Sequence, residues 1–212
     1  SRDDVVYEQD AKYFYYDHGP LARTEIGDKK VTGTDYAYTI QGWLKGVNSE
    51  QLEIEKDQGE DGQINGINWM NGQDVTGYSL HYFNGDYFSR TGNNDDFLTY
   101  SSTATPTAHI YDLYNGNIKE MYTANTGTDQ LHKTTSHTSY IYDQLHRIVN
   151  MEQEDLNGAA SPVAHYSSSY VYDQNGNLDS LKRYAWNGSS KVQIDDFKYH
   201  YTATTNQLTH VD

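Results

Sequence analysis

A chain of 212 residues with 30 acidic against 15 basic side chains, a formal charge of −15, lacks the clustered cations that nucleic-acid phosphates or an anionic membrane face demand. It has no cysteine, which removes thiolate metal sites and cysteine nucleophiles, and no apolar run near the roughly 20 residues of a membrane span. Only 35% of residues are hydrophobic, yet 14% are aromatic, which sets the chain apart from disordered sequences, since those are poor in aromatics.

The predicted elements are hairpins built on Tyr-x-Tyr-Asp, each followed by a polar turn and then Leu or Ile. The opening residues Ser1-Arg2-Asp3-Asp4 carry no signal-peptide core. Tyr13-Phe14-Tyr15-Tyr16-Asp17, closed by Gly19-Pro20-Leu21, is the first copy. Tyr36-Ala37-Tyr38-Thr39 with Gly42-Trp43-Leu44 is a weaker one. Residues 48–77 break the pattern and read as an irregular acidic insertion or a degenerate repeat. His81-Tyr82-Phe83-Asn84-Gly85 is the poorest copy, and Ile110-Tyr111-Asp112, closed by Gly116-Asn117-Ile118, restores the frame. Tyr140-Ile141-Tyr142-Asp143 closes on Arg147-Ile148. Tyr170-Val171-Tyr172-Asp173 through Leu178 is the clearest copy. Tyr199-His200-Tyr201-Thr202 with Asn206-Gln207-Leu208 is the last. The organisation is therefore repeats in 1–47, the interruption in 48–77, and repeats in 78–212, with both ends reading as cuts from a longer chain.

The second tyrosines, from Tyr16 to Tyr201, are separated by 22, 44, 29, 31, 30 and 29 residues, a regularity that defines a repeat array with one disturbed region. Tyr170 and Tyr172 alternate and project from one face of a strand. Asp173 to Asn177 holds the Asp, Asn and Gly that suit a tight turn. No apolar i, i+3, i+4 run of helical length appears. The fold class is all-β: repeated hairpins forming a curved ribbon in which each unit contacts mainly its neighbours. Tyrosines are expected to stack from repeat to repeat as cross-strand pairs. The repeat aspartates Asp17, Asp112, Asp143 and Asp173 are expected to accept backbone N–H bonds in their own turns, with Thr39 and Thr202 as weaker substitutes.

This pattern resembles the RHS/YD-repeat family. Thr34–Ser49 resembles the repeat as found in large secreted proteins of Bacteroidetes-type bacteria, and Tyr78–Tyr87 a less regular stretch that follows it there. The resemblance implies hairpins wound into a hollow spiral shell, which in bacterial members often encloses a C-terminal toxin and in others serves at the cell surface. It implies a secreted or surface location, and as partners the rest of the parent chain and secretion machinery. The self-cleaving Asp-Pro-x-Gly element of toxin-bearing members is absent, because none of Pro20, Pro106 and Pro162 follows an aspartate.

Candidate sites are few. Asp57-Gln58-Gly59-Glu60-Asp61-Gly62 partly matches an EF-hand loop, but Gly59 and Asn68 stand at positions three and twelve, where ligands belong. An exposed acidic loop is the expectation. The pair His132 and His137 is spaced i, i+5 in a β context and does not make a zinc motif. His18, His109, His146, His165, His200 and His210 read as surface or shell-lining polar residues. Ser167-Ser168-Ser169 leads into a strand with no evident base. No catalytic, cofactor-binding or metal residue is assigned, no cofactor is implied, and the chain reads as non-enzymatic. The alternative is a carbohydrate-binding or adhesin module in which Tyr36, Trp43, Trp69 and Trp186 stack on sugar rings. Trp43 is expected in the wall and Trp186 at an exposed hairpin tip.

Overall fold

The structure, a computed structural model, describes residues 9–89, 98, 111–127, 133–156 and 164–212, without the side chains of residues 164 and 165. Twelve strands run in chain order: β1 (Ala11–Tyr15), β2 (Leu21–Ile26), β3 (Thr32–Tyr38), β4 (Leu44–Val47), β5 (Thr76–His81), β6 (Glu120–Thr126), β7 (Lys133–Tyr142), β8 (Ile148–Asp155), β9 (Ala164–Tyr172), β10 (Leu178–Trp186), β11 (Lys191–Tyr201) and β12 (Leu208–Val211). They form one open sheet in strict sequence order, β1 to β12, and consecutive strands pair antiparallel. One 3-10 turn, Ile54–Lys56, is the helical content of the described residues. The all-β expectation is met.

The turns that follow the second tyrosine of a repeat share one closure in three copies. Asp173 donates its N–H to the Asn177 carbonyl at 2.9 Å, and Gly176 donates back to Asp173 at 3.1 Å. Asp143 with Arg147 and Thr39 with Trp43 repeat the first bond, at 2.9 and 2.8 Å. The residue before last must turn left-handed. Gly42 (φ 83°) and Gly176 (φ 88°) do so freely, while His146 (φ 62°) takes the same place with a crowded β-carbon.

A bulge follows the turn in five of the hairpins. Tyr142 pairs Ile148 but Ile141 pairs Asn150, so Val149 is left over. By the same shift Ala22, Lys45, Asp179 and Thr209 are unpaired in their hairpins. An extra residue on one strand bends it and sharpens its twist, so bulges repeated at one end curve the ribbon.

The repeat tyrosines act differently from expectation. Consecutive copies lie two strands apart, about 9–10 Å at ordinary strand spacing, too far for rings that pair at 4.5–7 Å. Instead each hydroxyl reaches the strand between. Tyr82, Tyr142, Tyr172 and Tyr201 donate to the carbonyls of Leu44, Ile118, Ile148 and Leu178, each at 2.8 Å. The acceptor is the Leu or Ile that closes the previous repeat. Among the described residues, the repeat tyrosines that meet ring to ring are Tyr16 and Tyr38, edge-on at 6.4 Å. Tyr16 lies past the end of β1 and leans across to donate to the Tyr36 carbonyl.

The copy at Tyr111 departs from the frame. Ile110 lies outside the described residues, and Tyr111 is 72% exposed and in no strand. Its turn is tied to the neighbouring one: Leu113 N–H donates to the Tyr82 carbonyl at 2.7 Å, and Asp112 accepts from Asn84 N–H. The poorest copy in sequence, at Tyr82, is buried and makes the ladder bond.

Candidate functional site

Burial is concentrated on one stretch of the sheet, and what is buried there is mostly polar. Buried residues run from Arg23 to Ser168 among the described ones, and none lies in β10, β11 or β12. The segment between β4 and β5 lies across the sheet. Its Asp61 meets Arg23 of β2, its Glu50 meets Ser79 of β5, and its Leu52 carbonyl accepts from Lys133 of β7 at 2.6 Å. Charges facing such a cover lose water and need partners.

Arg23 is the centre of the first cluster. Its guanidinium is hydrogen-bonded to Glu25, Asp35 and Asp61. Gly33 and Gly59 flank it, and a β-carbon at either would collide with the guanidinium and with an aspartate oxygen. Burial works against the arginine's charge, yet the hydrogen bond to Asp61 and the field of Asp35 prevail and raise its pKa. One cation cannot neutralise three carboxylates. Burial accordingly pushes Asp35 up to about 7, despite Arg23, and Asp61 also rises. Asp74 is pushed up to about 9 by burial and then by Asp57 and Asp61. A cavity of about 20 Å³, room for one water, is lined by Ser49, Asp57, Asp61, Gln73 and Asp74 among others.

The second cluster crosses β4 to β8. Lys45, the bulge residue, is buried against Asp86 at 2.8 Å, and burial lowers its pKa. Ser79, Tyr122, His137 and Glu154 are successive cross-strand partners, so they share one face. The Tyr122 and His137 rings stack at 4.7 Å, and His81 meets Tyr122 edge-on at 5.2 Å. His137 presents Nε2 to Glu120 at 3.6 Å and Nδ1 to Glu154 at 3.8 Å.

Ser79, His81 and Glu50 have the composition of a nucleophilic triad but the wrong polarity. The Ser79 hydroxyl has one proton and donates it to Glu50. Toward His81 Nε2, 3.1 Å away, Oγ is left to accept. The imidazole therefore gives a proton to the serine rather than taking one, the reverse of what a general base does. Glu50 also stands on the Nε2 side, 3.9 Å away, where it cannot orient the ring through Nδ1. Ser79 is wholly buried.

The residues singled out in sequence fall as follows. In the EF-hand-like loop, Asp57 accepts Gly59 N–H at 3.2 Å and Asp61 N–H, and Asn68 donates to the Gly59 carbonyl at 2.8 Å. Its carboxylates close the loop and hold Arg23, and Asp61 is buried, which corrects the picture of an exposed loop. His132, His109 and the side chain of His165 lie outside the described residues. Asp143 and Asp173 accept turn N–H groups as expected, from Leu145 and Arg147 and from Asn175 and Asn177. Asp112 instead holds Asn84 N–H and Lys119, and Asp17 shows no turn bond among the described residues. Thr39 Oγ1 accepts Trp43 N–H at 3.2 Å. Trp43 packs on Tyr82 at 4.9 Å and against Gly116, between neighbouring hairpins. Trp186 is 36% and Trp69 61% exposed. His200, His210 and Asp212 are brought together with ligand atoms within 4.8 Å of one another.

Sequence reasoning missed the buried charges. Arg23, Lys45, Glu120 and His137 sit on strands whose alternation was read from tyrosines alone, and Glu50 sits in the segment that covers them. The available signal was the acidic segment at 48–77: a cover that polar needs polar partners beneath it. Among the described residues, no helix is long and apolar enough to cross a membrane. No protein-family model matches the chain, and no curated protein matches it.

Proposed function

We propose that this chain is a non-catalytic wall segment of a secreted or cell-surface RHS/YD-repeat protein, acting by enclosure of a C-terminal domain, in toxin-bearing members a toxin, or as a surface scaffold. The observation that supports it is the ladder of tyrosine hydroxyls, each bonded to the closing Leu or Ile of the repeat before. Together with a sheet in strict sequence order, this makes a structure extended by adding repeats, as a wall requires. Its partners are then the rest of its own chain and the machinery that exports it.

The test is to isolate the native polypeptide, read its sequence past Asp212 by mass spectrometry, and digest it with protease before and after unfolding. A following domain protected only in the folded particle supports enclosure. Repeats continuing into an anchor support the scaffold. A following domain cut equally fast in both states sinks enclosure.

A second reading rests on the exposed indoles of Trp69 and Trp186, which suit the flat apolar faces of sugars. In this reading glycans are the partners. Glycan-array binding lost in Trp69→Ala or Trp186→Ala supports it, and no binding to any glycan ends it.

A further inference from the structure

We propose that His200, His210 and Asp212 form a surface site for one divalent transition-metal ion of the zinc class, clamping β12 to β11. Two imidazoles and a carboxylate are the donor set that zinc accepts. His200 and His210 are directly opposed across the antiparallel pair, and their rings lie parallel at 4.3 Å. Asp212 is held beside them because its backbone exchanges both hydrogen bonds with Lys198, at 3.0 and 3.1 Å. Its Oδ2 is 2.8 Å from His200 Nε2 and its Oδ1 is 3.9 Å from His210 Nε2. All three side chains are exposed, so an ion reaches them without opening the fold.

The hydrogen bonds also set which nitrogen of His210 is free. Thr209 Oγ1 donates its only proton to the His200 carbonyl at 2.8 Å. Toward His210 Nδ1, 3.1 Å away, that oxygen can only accept, so Nδ1 carries the proton. The Nε2 lone pair is thereby aimed at the Asp212 carboxylate, two acceptors facing each other. A cation between them satisfies both, with Thr209 fixing the ring from outside as metal-bound histidines require. At His200 the ion replaces the Nε2 proton now given to Asp212, and Nδ1 takes up a proton from solvent.

The repeat frame shows that this pair is a departure. The equivalent cross-strand pairs are Phe14 with Arg23, Ala37 with Gly46, Ile141 with Asn150 and Val171 with Ser180. None of those pairs contains a metal ligand. Thr209 is moreover the bulge residue, so the bulge that curves the ribbon is what places its hydroxyl between the two histidines.

The experiment is calorimetric titration of the chelator-treated chain with zinc chloride, with thermal melts in parallel, for the parent, His200→Ala, His210→Ala and Thr209→Val. Metal-free melts that match the parent establish that the variants fold. The expected result is one zinc ion per chain, a melt raised by zinc in the parent, affinity lowered roughly tenfold or more in each histidine variant, and about tenfold in Thr209→Val. Absence of saturable binding by the parent, or unchanged binding in both histidine variants, overturns the proposal.

Discussion

Two arginines on the same sheet show how differently its halves are held. Arg23 on β2 has a side chain only 9% exposed and touches three carboxylates. Arg183 on β10 is 50% exposed, pairs Asp195 at 2.6 Å, and lies 5.7 Å from the Phe197 ring. The ribbon near Arg183 is the hairpin repeat by itself, with no buried residue in β10, β11 or β12 and tyrosine hydroxyls bridging the repeats. The region near Arg23 is the same ribbon with an irregular segment laid across it. Covering a face removes water, and every charge beneath must then be matched.

The largest contrast follows from replacing each arginine with methionine. Arg23→Met leaves Glu25, Asp35 and Asp61 without their shared cation and should cost about 3–5 kcal/mol in urea unfolding. Arg183→Met should cost no more than about 1 kcal/mol, because water already screens that pair. Equal costs would mean that the cover does not dry the face. Gly33→Ala should resemble Arg23→Met, since its methyl group needs the space of the guanidinium.

The tyrosine ladder is tested within the uncovered half. Tyr172→Ala removes a half-buried ring over which Arg147 sits at 4.5 Å, and should cost about 2–3 kcal/mol. Tyr172→Phe keeps the ring and loses only the bond to the Ile148 carbonyl, about 1 kcal/mol. Tyr82→Phe should cost more than Tyr172→Phe, because Tyr82 is buried and the Leu44 carbonyl has less water to replace the lost donor. Thermal melts of the three variants decide it, and a Tyr172→Ala protein as stable as the parent would falsify the hairpin ladder.

How much of this was legible depended on which half is read. The turn of Asp173 to Asn177, its glycine and its flanking strands follow from local chemistry, and they form as the residues dictate. The tyrosine bonds were missed although one hairpin per repeat already sets consecutive rings two strands apart; what the frame does not carry is that each hydroxyl reaches the closing carbonyl of the repeat before. Tyr111 failed for a tertiary reason: its turn binds the turn at Tyr82, which outweighs the local preference for a strand. The buried charges needed knowledge that residues 48–75 fold back over β2 to β7, a long-range fact that no local pattern carries. The pairing of His200 with His210 lay in the register of the last hairpin, and only the register shows that they face each other.

The pH response separates the halves by sign. Asp35 and Asp74 keep protons in the folded state up to about 7 and about 9, whereas the unfolded chain releases them near 3.8. Between those values the folded state binds more protons, so stability falls as pH rises. Tm should fall by roughly 10 °C or more between pH 5 and pH 9, and Asp74→Asn should remove the larger part of it. A Tm flat across that range in the parent would remove the buried carboxyls from the account.

The smallest effect has the opposite slope and belongs to the uncovered ribbon. Asp173 accepts from the Asn177 amide and from backbone N–H groups of its turn, and these hold its pKa below the ordinary 3.8. Its folded value is depressed, so its contribution is complete above pH 3.8 and disappears as acid protonates it in the folded state. Asp173→Asn keeps an oxygen to accept the N–H groups but has no charge to titrate. At neutral pH the variant should melt slightly below the parent, and below the carboxylate range the two should converge. Hydrogen exchange read by mass spectrometry locates the change: acid should speed exchange around the Asp173 turn first, and alkali around Arg23 and Asp74 first. If acid and alkali open the same region, the two halves are one cooperative unit, and the contrast between covered and bare ribbon describes their chemistry but not their stability.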